Sequence, residues 1–97
     1  MTILSLLEFT IRPDKLGVAD AAITEVLAAT RAFEGCEGLE VMRDLADPAH
    51  IVVVEHWTSL AHDDAYRAWR ATPEGRSSLG EILAGPPTLT RLADTGI

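Results

Sequence analysis

From Thr2 to Ile11 apolar side chains alternate in part with polar ones, and Pro13 stops the run, so the spacing predicts a strand. From Asp14, which offers a helix cap, the period changes. Val18, Ala22, Val26, Ala29 and Phe33 recur at helical spacing, with Ala19, Ile23, Leu27 and Thr30 beside them, which makes a helix of about five turns. Gly35 ends it in a position that favours a left-handed residue. Gly38 to Asp44 alternates again and predicts a second strand, and Ala46-Asp47-Pro48-Ala49 is a turn signal. Ile51 to Trp57 is the third strand, and its unbroken β-branched start, Ile51 to Val54, predicts burial on both faces. Thr58 or Ser59 caps the next helix, with Asp63 and Asp64 in its first turn and Ala61, Ala65, Ala68 and Thr72 as its small, packable side. Thr72-Pro73 closes it. Glu74 to Leu83 reads as a short helical piece bounded by Gly85-Pro86-Pro87, Thr88 to Leu92 as the last strand, and the tail from Asp94 as frayed.

The resulting order, β-α-β-β-α-β, is the ferredoxin-like split βαβ arrangement: an α+β fold with both helices on one face of a four-stranded antiparallel sheet. Residues 1–97 make a single domain with an ordered core at about 3–93. The sheet's other face carries apolar residues that nothing else in the chain covers, so a second copy is the expected cover.

Composition narrows the function. The formal charge is −7, with Lys15 the sole lysine against seven arginines and no basic cluster, which argues against nucleic acid as a partner. Its apolar runs are too short to span a membrane, and the N-terminus has no basic segment or signal-peptide pattern. One cysteine, Cys36, allows no internal disulfide, so a reducing, cytoplasmic setting is expected. His50, His56 and His62 are spaced six apart, which suits no single helix face, and no HxH or HExxH occurs, so no metal is expected.

The polar-aromatic residues concentrate between His50 and Arg70, where three of the chain's five Phe, Trp and Tyr residues lie. The third strand delivers Trp57 to the mouth of a helix whose one side carries His62, Tyr66 and Trp69. An imidazole can take a phenolic proton, Tyr66 can donate to a substrate oxygen, and the indoles can wall an aromatic ring. Glu55 shares its strand face with Trp57, and Arg70 or Arg91 is its expected partner. His56 faces the opposite side, and His50, at a strand start, is expected to be exposed.

The segment Glu34-Gly35-Cys36-Glu37-Gly38-Leu39-Glu40-Val41, then Arg43-Asp44, Asp47-Pro48 and Glu55-His56-Trp57-Thr58-Ser59, resembles the antibiotic biosynthesis monooxygenase domain. Ala65-Tyr66-Arg67-Ala68-Trp69-Arg70 and Gly85-Pro86-Pro87 are similar to its quinol-monooxygenase branch. The resemblance runs from about Leu4 to Leu92 and implies a homodimeric α+β barrel with a pocket between sheet and helices in each subunit. It implies oxidation of an electron-rich phenol, hydroquinone or anthrone by O2 to a quinone, with no flavin, haem or metal. On that reading His62 and Tyr66 are the catalytic candidates, and Trp57, Trp69, Glu55 and Arg70 the substrate-binding ones. The alternatives are a non-oxidative dimeric ligand-binding or accessory protein and a polyketide-type isomerase or cyclase. Many relatives carry His where Tyr66 stands, and the absence of any Asn sets the chain apart from the haem-degrading branch of the fold.

Overall fold

A computed structural model describes residues 2–97. Strand β1 (Ile3–Thr10) leads through a 3-10 turn at Pro13–Lys15 into helix α1 (Leu16–Ala32). Strands β2 (Cys36–Arg43) and β3 (His50–Trp57) follow, then helix α2 (Leu60–Arg70), a 3-10 turn at Leu79–Ile82 and strand β4 (Thr88–Ala93). The sheet runs in the order β2-β3-β1-β4, with antiparallel pairing throughout.

Period-two alternation decides which side of each strand is buried. Ile3, Ser5 and Phe9 of β1 and Ile51, Val53, Glu55 and Trp57 of β3 face the helices and are buried. Helix α1 closes on them with Ala19, Ile23, Val26, Leu27 and Thr30, so the second of its two apolar rows is the one that packs. The opposite face holds Leu4, Leu6, Val52 and Val54, all half-buried, with Met42 and Leu92 at 53% and 42% exposure. The expected burial of β3 on both faces is therefore corrected within one chain: β3 alternates buried with half-buried, because the helices cover only one side.

Several local expectations change. Asp14 does not cap α1: the 3-10 turn intervenes, and Lys15 stands at the N-cap with no side-chain cap bond. Ser59 does cap α2, accepting from the His62 backbone N–H. The alanines of α2 do not pack, since Ala61, Ala65 and Ala68 are exposed and the buried face is Asp63 and Tyr66. The helical piece expected over 74–83 shrinks to Leu79–Ile82, because Pro73, Gly75 and Gly80 leave too little continuous helix former. His50 is half-buried rather than exposed.

Gly35 sits between α1 and β2 at φ +90°, and a Cβ there would lie 2.3–2.4 Å from the His62 ring. Its carbonyl accepts from both Thr58 N–H and Thr58 Oγ1. Gly35→Ala is thus expected to combine backbone strain with a clash against an anchored ring, and to lower stability by about 2 kcal/mol or more in denaturant titration. Glu34→Ala, exposed beside it, is the control expected to be near neutral.

Candidate functional site

The joint between β3 and α2 holds a packed aromatic group. Trp57 has no exposure and Tyr66 has 4%, and both pack with Ile3, Phe33, Cys36 and Trp69. Ring centroids of Tyr66 lie 5.0 Å from Trp57 and 5.3 Å from Phe33, and Phe33 lies 5.4 Å from Trp69, within the range of favourable aromatic pairs. Trp57, Tyr66 and Trp69 therefore do come together, with Phe33 added from the end of α1. Phe33 carried a signal in its place on the α1 stripe but none pointing to the site.

Tyr66 is held by charge. Its hydroxyl accepts from Arg70 Nε at 2.8 Å and shares a 2.7 Å hydrogen bond with Thr30 Oγ1. The Arg70 guanidinium lies 4.9 Å from the Trp69 ring and also donates to the carbonyls of Val26 and Gly75. Arg70 thus ties α1, α2 and the following turn around the phenol, and it does not reach Glu55.

Glu55 pairs with Arg67 instead. Its Oε1 accepts from Trp57 Nε1 at 3.0 Å and from Arg67 Nη2 at 2.5 Å. Neither Arg70 nor Arg91, the expected partners, serves: Arg67 lies three residues nearer the start of α2 than Arg70, and Arg91 reaches Asp63 and Asp64. Asp63, with no exposure, receives a 2.9 Å hydrogen bond from Ser5 Oγ and lies 3.0 Å from Arg67 Nε. That Nε–Oδ1 approach is close enough for an ion pair but too poorly aligned for a hydrogen bond, so both atoms, like Glu55 Oε2, lack a hydrogen-bond partner among the described residues. Burial pushes the Glu55 carboxyl above its usual range, against the opposing pull of Arg67.

His62 lies one turn before Tyr66 on α2 and is half-buried. Its Nδ1 lies 2.7 Å from Ser59 Oγ, its ring rests on Gly35, and no hydrogen bond from the described residues engages Nε2. When Nδ1 donates to Ser59, Nε2 is the acceptor. His56 projects to the open face, where Nε2 meets Glu40 at 2.9 Å. Cys36 is half-buried, and desolvation raises its thiol pKa, which keeps it a poor nucleophile.

Two clefts open elsewhere. One, of about 310 Å³, lies between α1 and β2 beside Ile23, Leu27, Arg31, Val41 and Arg43. The other, of about 430 Å³, lies at the end of β1, β3 and β4. Neither is lined by the aromatic group. Among the described residues no cluster of three or more His, Cys, Asp or Glu side chains is placed to hold a metal ion. Nor is any helix among them long and apolar enough to cross a membrane.

Residues 2–77 match the family model described as antibiotic biosynthesis monooxygenase. In sequence the chain is similar to a Mycobacterium tuberculosis protein named "Putative monooxygenase Rv0793", at 29% identity over 85 residues, covering 88% of this chain and 83% of that one. The solved structure of Rv0793 superposes with a TM-score of 0.77 over 97% of this chain and 95% of its own, at 25% identity. A conserved protein of Methanosarcina mazei shares the fold at a TM-score of 0.79 and 17% identity, over 95% of this chain and 91% of that one.

Proposed function

The chain belongs to the antibiotic biosynthesis monooxygenase family, and from that membership we propose that it oxidises an electron-rich phenol, hydroquinone or anthrone with O2 to a quinone, without flavin, haem or metal. The observation that supports this reading is the packed aromatic group of Trp57, Tyr66, Phe33 and Trp69 at the β3–α2 joint, with the Glu55 carboxylate on the Trp57 indole and His62 one turn before Tyr66 on α2.

The phenol gives its proton to His62 Nε2, and its anion passes one electron to O2. The radical pair recombines to a carbon–oxygen bond, and the imidazolium returns the proton to the peroxide oxygen. The C–H bond at that carbon then breaks as the O–O bond cleaves, releasing water and leaving the quinone carbonyl. One oxygen atom ends in the product and the other in water. Tyr66, oriented by Arg70, hydrogen-bonds the substrate oxygen by exchanging its bond to Thr30. Trp57 and Trp69 bound the ring, and Glu55 holds the Trp57 indole in place. The protein's work is orientation, deprotonation and exclusion of water, and a substrate enters by parting α2 from the sheet. The same reading carries a homodimer closed across the open sheet face, and a stable folded monomer in sedimentation at micromolar concentration would refute it.

Oxygen uptake by chelator-treated protein, over a panel of hydroquinones and anthrones, is the test. Uptake above the uncatalysed rate, with one atom of ¹⁸O2 in the quinone, supports the reading. Binding without uptake sinks it in favour of a ligand-binding or accessory protein. A product of unchanged mass would point to an isomerase or cyclase.

A further inference from the structure

The smaller cleft is a trough on the helix side of the sheet, so a copy covering the opposite face leaves it open. Its long walls are one flank of α1 and the edge strand β2. Asp20, Ile23, Thr24, Leu27 and Arg31 recur at three- and four-residue spacing along that flank. Val41 and Arg43 stand on the helix-facing side of β2, opposite Val53 and Ile51 in the register. The floor is core, since Ile23, Leu27 and Ile51 are all buried. Val41 in the wall is nevertheless 42% exposed. Thr24, between Ile23 and Leu27 on the α1 flank, is too short to cover it, and its hydroxyl is turned back to the Asp20 carbonyl at 2.7 Å. The result is an apolar strip that the chain lines and does not fill.

The two ends of the strip differ in charge. At one end Arg43 Nη2 lies 2.7 Å from Asp20 Oδ1 and Arg43 Nε donates to the Pro48 carbonyl, so that end is neutral. At the other end Arg31 donates from Nη1 to the Leu39 carbonyl at 3.2 Å and meets no carboxylate among the described residues. A guanidinium carries about five N–H donors, so most of those on Arg31 stay unengaged there. Arg31 and Arg43 against Asp20 leave the trough at +1, within a chain of −7. An uncompensated guanidinium beside an open apolar strip matches a ligand with one anionic head and an apolar body. The volume, about 310 Å³, falls at the small end of small-molecule sites, roughly 300–1,000 Å³.

We propose that this trough is a binding site, separate from the oxidation site, for a small apolar monocarboxylate of the aryl-alkanoate kind. Its carboxylate accepts from the free N–H groups of Arg31, and its methylenes and ring lie over Leu27, Ile23 and Val41. The Arg43–Asp20 pair closes the far end and sets the direction of binding. Asp20 repels the anionic head toward Arg31, and a dicarboxylate finds no second uncompensated cation. Arg31 and Asp20 stand eleven residues apart on α1, which is roughly 16 Å along the helix axis. A phenyl ring on a short alkanoate chain fits within that span.

The test is a titration of the intact protein with sodium 4-phenylbutyrate, followed by two-dimensional amide NMR, with 4-phenylbutylammonium chloride as the counter-probe. Saturable shifts at Ile23, Leu27, Arg31 and Val41 are expected, with no matching response to the ammonium. Arg31→Gln, whose fold its own spectrum verifies, should weaken binding about tenfold or more, and Arg31→Lys should recover part of the loss by restoring the charge. Val41→Trp, which fills the strip from its exposed wall without changing charge, should weaken binding as much. No saturation, equal binding of the ammonium, or an affinity untouched by Arg31→Gln or by Val41→Trp would each overturn the proposal. None of these readouts depends on oxygen chemistry, so the proposal and the oxidase reading stand or fall separately.

Discussion

Replacing Arg67 with alanine is expected to cost the fold about 3–5 kcal/mol, the range for removing one partner of a buried ion pair. The reason is accounting of charge. The Glu55 and Asp63 side chains are 1% and 0% exposed, and Arg67 is the cation shared between them. Without it, two carboxylates remain out of water with only Trp57 and Ser5 as neutral donors and Arg91 at 3.6 Å from Asp63. For a domain of this size the melting temperature should fall by roughly 12–30 °C. The loss should also depend on pH in an unusual direction. A carboxyl raised by burial binds its proton more tightly in the folded chain than in the unfolded one. Stability contributed by Glu55 is therefore highest below its ordinary pKa of 4.5 and falls as pH rises through the raised value. Arg67→Ala removes the charge that opposes this rise, so its penalty should be larger at pH 8 than at pH 4.5. Glu55→Gln with Arg67→Met should recover much of the loss. A penalty below about 1 kcal/mol, flat with pH, would mean that water reaches both carboxylates.

The second large effect is catalytic. His62→Ala is expected to lower the rate of quinone formation by about 10²–10⁴, the usual worth of a positioned base, while ligand binding persists. Added imidazole should restore part of the rate, since the vacated space beside Gly35 is ring-shaped. Purely structural damage would show no such rescue. Tyr66→Phe makes the complementary case: it removes the hydroxyl that Arg70 and Thr30 hold, and should reduce rate with a smaller effect on affinity. Full activity in both variants would remove His62 and Tyr66 from the mechanism.

The elements are legible because the unbroken β-branched run of β3, the stripe on α1 and the Ser59 cap are local signals. The gathering of Trp57, Tyr66 and Trp69 was also readable, since a strand end and one helix side place them. The ion cluster was not. Asp63 in a first turn reads as a solvated dipole partner, and only the approach of Ser5 across β1 makes it buried. Arg67 and Arg70 both lie on α2, and the choice of Arg67 over Arg70 depends on helix rotation that spacing alone does not fix. The half-burial of His50 is not legible for a similar reason: its partners, 42 residues and six residues away, meet only through the β1–β3 register and the turn after β2.

The strand order has a consequence for how the chain is made. Strand β1, made before the other three strands, is an interior strand of the sheet, flanked by β3 on one side and β4 on the other. Its second neighbour is the last of the four strands to be synthesised, with Ile3 paired to Ala93. Until then β1 presents an unpaired edge bearing Leu4 and Leu6. Closure of the sheet therefore waits for β4 and is governed by a long-range pairing, and the nascent chain is most exposed to wrong partners during that interval.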